Sequence, residues 1–144
     1  MMSGSCRFQP DSSEPQVVMQ SLAADYWDLY LEQHPVEATL LGYRRHDGRL
    51  PDRTLSGRRV ARRRLESVRD RLTRLQLDDL PVSDQVTGRA LLSELDGQLM
   101  LLDCDLDAWT LDPLSGPQVM LLKIAALQTV ETPQQGRDLV ARYR

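Results

Sequence analysis

Ser56-Gly57-Arg58-Arg59-Val60-Ala61-Arg62-Arg63-Arg64-Leu65-Glu66-Ser67-Val68-Arg69-Asp70-Arg71-Leu72-Thr73-Arg74-Leu75 is the stretch whose reading decides the fold class. Its apolar residues, Val60, Ala61, Leu65, Val68, Leu72 and Leu75, recur at spacings that bring them onto one stripe of an α-helix. The other faces are almost wholly arginine. Ser56 stands where a helix N-cap belongs, and Asp79-Leu80-Pro81 closes the region.

Toward the N-terminus, residues 43–55 hold Asp47-Gly48 and Leu50-Pro51-Asp52 without a helical period, which is loop chemistry. Before them, Pro35 suits the first position of a short helix through Leu41, and Gly42 suits a left-handed stop. His34 then falls on a helix boundary, because the residue before a proline is steered away from helical backbone. Residues 16–33 place Val18, Leu22, Tyr26 and Leu29 on one row, with Met19, Ala23, Trp27 and Tyr30 beside it. That is a wide helical stripe.

Toward the C-terminus, Ser83 or Asp84 offers a cap for a helix with the stripe Leu91, Leu92, Leu95, Leu99 and Leu102. Residues 103–115 are irregular by pattern. Pro117 opens a further helix to about Thr129, and Thr132-Pro133-Gln134-Gln135 has the form of a capping box for a last one. Leu139, Val140 and Tyr143 begin an apolar face there that the chain, ending at Arg144, leaves unfinished. No stretch alternates as a strand does, and no internal repeat is visible. The fold expected is all-α, with about five to six amphipathic helices. Residues 1–15 read as a leader, and 16–144 as the N-terminal helical part of a larger domain truncated at its C-terminus.

The net charge of -3 conceals an asymmetry, since residues 44–74 carry twelve arginines and four acids while the rest carries six basic and seventeen acidic residues. Such a distribution either attracts a polyanion or pairs one helix with acidic neighbours. Arg58, Arg59, Arg62, Arg63, Arg64, Arg69, Arg71 and Arg74 could follow nucleic-acid phosphates, but no base-stacking aromatic residue is interleaved with them. Glu66 also lies one turn from Arg62, so pairing within the chain is the favoured reading. The first ten residues lack the apolar centre of a secretory signal, and a cytoplasmic location is expected. The most apolar run, Val119 to Leu127, is far shorter than the roughly 20 residues that span a bilayer.

Motifs for catalysis or metal binding are weak. Asp103, Asp105 and Asp107 open like a calcium loop, but Ala108 stands at its glycine position and Leu114 at its bidentate glutamate position. Cys6, His34, His46 and Cys104 are zinc-ligand types spread singly along the chain, without the close pairs of a structural site. There is no nucleophile elbow and no phosphate-binding glycine loop. No catalytic, cofactor-binding or metal-ligating residue is assigned.

One resemblance adds to this reading. Tyr26-Trp27, then Pro35-Val36-Glu37-Ala38-Thr39-Leu40-Leu41-Gly42, then Arg45-His46-Asp47-Gly48-Arg49-Leu50-Pro51-Asp52 follow the order of the bacterial family called domain of unknown function 885. Asp112-Pro113-Leu114-Ser115-Gly116-Pro117-Gln118 resembles that family's Asn-Pro-Leu-x-Gly-Pro stretch, with Asp112 in place of asparagine, and Thr132-Pro133 with Tyr143-Arg144 fits its next helix. The resemblance implies a helical protein several times longer, in which a downstream His-Glu-x-x-His resembles the zinc-binding helix of metallopeptidases. It implies zinc only in a full-length relative, since no residue here corresponds to that motif. The function implied is the N-terminal helical portion of a zinc metallopeptidase-like hydrolase, inactive alone and partnered by the missing C-terminal portion. The alternative is a free-standing interaction module that covers its apolar faces by forming a homodimer.

Overall fold

The computed structural model describes residues 14–104, 113 and 116–144. Among them are six α-helices and no strand: α1 (Pro15–Gln33), α2 (Pro35–Leu40), α3 (Leu55–Thr73), α4 (Val82–Asp103), α5 (Pro117–Leu127) and α6 (Pro133–Arg142). Short 3-10 turns at Arg44–His46 and Leu77–Asp79 interrupt the connections before α3 and α4. No helix is long and apolar enough to cross a membrane.

The stripe around Leu65 does what its spacing requires. Leu65, Val68 and Leu72 of α3 are buried against Met19, Leu22 and Leu29 of α1 and Leu91 and Leu95 of α4, with Leu80 closing the end. These three helices pack mutually as a bundle. Of the expected α4 stripe only Leu91 and Leu95 are buried, while Leu92, Leu99 and Leu102 pack partly exposed at the margin. The α1 stripe is narrower than its two rows of apolar residues suggest. Trp27 remains 39% exposed, as does Val60 of α3 at 40%, because each lies at the edge of its helix's contact face.

Local chemistry sets the helix ends. His34 ends α1 and precedes α2, its N–H bonded to the carbonyl of Tyr30. Gly42 takes φ +89°, the left-handed backbone that a side chain would strain. The cap of α3 is Thr54 rather than Ser56, its hydroxyl accepting from the Gly57 N–H at 3.0 Å. Asp52 selects that residue by accepting from both the N–H and the hydroxyl of Thr54, and it occupies space that a Cβ on Gly57 would need. Neither Ser83 nor Asp84 caps α4, which starts at Val82 after Pro81 without a side-chain cap. α5 ends at Leu127, slightly before the expected Thr129. The capping box of α6 is present, with Gln135 reaching back to the Thr132 N–H. Instead of running unfinished to the last residue, α6 stops at Arg142, where the Tyr143 N–H turns to the Val140 carbonyl.

Thr54→Ala should cost about 1 kcal/mol of stability, the ordinary worth of an N-cap. The urea midpoint would fall while Ser56→Ala leaves it almost unchanged. The reverse order would show the cap to be misassigned.

Candidate functional site

The arginines of α3 meet carboxylates on both neighbouring helices. Arg64 pairs with Glu32 at 2.5 Å and Arg71 with Asp25 at 2.8 Å, both on α1. Arg69 pairs with Asp96 at 2.5 Å, and Arg62 reaches Asp103, both on α4. Arg62 also approaches Glu66 at 3.6 Å, the helical-turn pair expected from spacing. Arg58 donates to the Leu102 carbonyl at 3.2 Å. The basic helix is therefore neutralised largely from within, although each exposed pair contributes only about 0–1 kcal/mol.

A second polar assembly is buried. Asp47, 1% exposed, accepts from the Thr39 hydroxyl at 2.8 Å and from Arg44 at 3.0 Å. Arg142 of α6, 3% exposed, donates to the Thr39 hydroxyl at 2.6 Å and to the His46 carbonyl at 2.8 Å. Gln128 at the end of α5 donates to the Asp47 carbonyl at 3.3 Å, and Arg44 reaches the Thr129 hydroxyl at 2.7 Å. Gly48 lies against α6, the Asp138 carbonyl standing 3.5 Å from its Cβ position, an ordinary contact distance. This knot fastens α5 and α6 to α2 and the following turn. Val36, Leu40, Ile124 and Leu127 complete its apolar side around a cavity of about 10 Å³.

His46 belongs to the knot, not to a metal site. It is 5% exposed, its Nε2 accepts from Arg45 at 2.9 Å, and its Nδ1 has no partner among the described residues. Burial, then the nearby Arg45 and Arg49 charges, push its pKa below the ordinary histidine value, against smaller opposing effects of Glu32 and Asp28. A histidine whose folded pKa is depressed contributes stability above its unfolded pKa and loses it as pH falls. Stability should thus decline between about pH 7 and pH 5.5, bracketing the unfolded histidine value. His46→Asn should flatten that part of the curve. An unchanged slope in urea titrations of the variant would count against this assignment.

The other zinc-ligand types are elsewhere. His34 packs on the Tyr30 ring, and Cys104 is an exposed free thiol after α4. Among the described residues no three His, Cys, Asp or Glu side chains gather as a metal site. Cys6, and Asp105, Asp107, Ala108 and Leu114 of the calcium-like run, lie outside the described residues. A cavity of about 380 Å³ lies between the end of α1 and the start of α3, with Leu29, Val60 and Leu102 in its walls. Its charged wall groups are already engaged, Arg64 with Glu32 and Asp52 with Thr54.

Sequence reasoning did not find the knot. Thr39 and Asp47 read as helix and loop residues, and Gln128 and Arg142 fall within the last two expected helices without being singled out. The available signal was Arg44 three residues before Asp47, the spacing of a local ion pair.

A model of the family described as bacterial protein of unknown function (DUF885) matches residues 35–144. The chain belongs to this family. The DUF885 match covers the Pro35–Gly42 and Arg45–Asp52 stretches and everything after them, whereas Tyr26-Trp27 precede it. It includes Thr39, Arg44, His46, Asp47, Gln128 and Arg142 of the buried knot. No curated protein and no solved structure matches the chain.

Proposed function

We propose that this DUF885 chain is a helical, non-catalytic part of a hydrolase resembling the zinc metallopeptidases, and that it forms a wall against which the catalytic part docks. The observation that carries this reading is α5. Val119, Met120, Leu121, Leu122, Ile124, Ala125, Ala126 and Leu127 make it apolar on every side, with Gln118 in its first turn and Lys123 as its polar residues. A helix of that kind belongs in an interior. Here only Ile124 is buried within α5, while Leu122 is 80% exposed. Val130, Val140 and Tyr143 add further exposed apolar surface from the following turn and α6. Exposed apolar surface of this extent is a mark of an interaction site.

The described residues provide no metal ligand set, so no step of hydrolysis is assigned to this chain's side chains. Its contribution is to bind and shape. The test is to produce a His-Glu-x-x-His-bearing segment of a DUF885 relative separately and mix it with this chain. Zinc-dependent hydrolysis of a peptide library is expected from the mixture and from neither part alone. Activity of the purified chain by itself would overturn the reading.

The same apolar surface favours a second reading, a free-standing module that pairs with its own copy. Sedimentation would then give a defined dimer that Leu122→Lys dissociates. The α3 arginines do not favour nucleic acid, because α1 and α4 already supply counter-charges to four of them.

A further inference from the structure

The C-terminal half of α1 carries Tyr26, Trp27 and Tyr30, His34 follows as its cap, and the chain reversal at Gly42 brings Tyr43 to them. Trp27 and Tyr30 stack with ring centroids 5.4 Å apart and planes 8° apart. His34 packs beside Tyr30 at 4.5 Å. Tyr43 meets Trp27 at 71° and 6.1 Å, and its hydroxyl accepts from the Trp27 indole N–H at 3.2 Å. Two rings thus form an open corner, held from behind by stacking. Both remain accessible, Trp27 at 39% and Tyr43 at 42%.

Two carboxylates accompany this aromatic group. The Tyr30 hydroxyl donates to Glu37, and the Tyr26 hydroxyl donates to Glu94 at 3.1 Å. Glu94 also accepts from Gln98, and Glu37 approaches His34 at 4.0 Å. Their position is unlike that of Asp25, Asp28, Glu32, Asp96 and Asp103, each of which meets an arginine. Glu37 and Glu94 have no arginine or lysine partner among the described residues. The Glu37 hydrogen bond, followed by burial, pushes the Tyr30 pKa up to about 12, so this ring stays a neutral phenol.

Accessible ring faces, with carboxylates that have no arginine or lysine partner among the described residues, suit a poorly hydrated organic cation. A rounded alkylammonium fits a corner of two steeply inclined rings better than a flat guanidinium, which needs one open face to stack on. We propose that Trp27 and Tyr43 bind an alkylammonium group, with Glu37 and Glu94 supplying the complementary charge. The group can belong to a small choline-like molecule or to a methylated lysine side chain. This site is independent of the hydrolase reading, and it includes Trp27 and Tyr30 from before the family match.

The experiment uses the full chain carrying Trp109→Phe, so that indole fluorescence reports Trp27 alone. Choline, N-acetyl-trimethyllysine methylamide and the uncharged choline isostere 3,3-dimethylbutan-1-ol are titrated separately. Saturable quenching by a cation is expected, with the neutral isostere weaker by at least about fivefold. Response to both cations locates recognition in the ammonium group, and response to one identifies its source. Glu37→Gln with Glu94→Gln should weaken cation binding while leaving the response to the isostere unchanged. Tyr43→Leu should weaken it further, with the far-UV spectrum confirming the fold of each variant. Equal binding of cation and isostere, or no saturable quenching by either cation in the folded protein, overturns the proposal.

Discussion

Asp47→Ala should lower unfolding stability by about 3–5 kcal/mol, the range seen when one partner of a buried charged network is removed. The Asp47 carboxylate holds Arg44 directly and Arg142 through the Thr39 hydroxyl. Without it, the Thr39 hydroxyl keeps only the Pro35 carbonyl at 3.0 Å as its acceptor, and the buried Arg142 guanidinium loses the negative charge nearest to it. Its Nε and NH1 already lack partners among the described residues, so little remains to offset that loss. A domain stable by about 5–15 kcal/mol would retain a substantial unfolded fraction after such a change.

Hydrogen exchange should localise the effect. Amides of α5 and α6 are expected to lose protection before those of α1, α3 and α4, because the knot fastens the former while leucines hold the latter. Asp47→Asn keeps an acceptor for Thr39 without the charge and should cost less than alanine. A cost below about 1 kcal/mol for Asp47→Ala would mean that solvent, rather than the carboxylate, satisfies the arginines.

Leu72→Ala is expected to cost about 2–5 kcal/mol, combining lost burial with the cavity left behind. Leu72 is fully buried in the α1, α3 and α4 core. Its truncation should lower the urea midpoint of the bundle as one cooperative step. Leu122→Ala is the contrast, since that side chain is 80% exposed and its loss should stay within about 0.5 kcal/mol. Similar costs at the two positions would contradict the placement of the core on the Leu65 stripe.

The helices could be read in the sequence because their evidence is local. A stripe such as Leu65, Val68 and Leu72 needs only its own neighbours to declare a face, and Thr132 with Gln135 carries a complete cap within four residues. Gly42 was legible for the same reason, as the backbone it adopts is one that few other residues accept. The cap of α3 was misplaced by two residues because Thr54 and Ser56 are chemically equivalent candidates. Asp52 decides between them, and its reach becomes apparent only once the turn is folded.

The knot and the aromatic corner depend on encounters across the chain. Arg142 and Thr39 meet at a sequence separation of 103 residues, and a lone arginine among polar neighbours carries no sign of burial. Trp27 was legible as part of an apolar row, but which row turns inward is settled by α3 and α4. Arginine pairing was anticipated in kind, through the acidic remainder of the chain. Its particular partners required the packed bundle.

The three-helix core gives the family boundary an unexpected meaning. The matched region begins at Pro35, yet Met19, Leu22 and Leu29 of α1 stand among Leu65, Leu72 and Leu95 in one interior. The matched segment is therefore smaller than the segment that packs into one interior, and a fragment cut at Pro35 would lose α1 and open that interior to water.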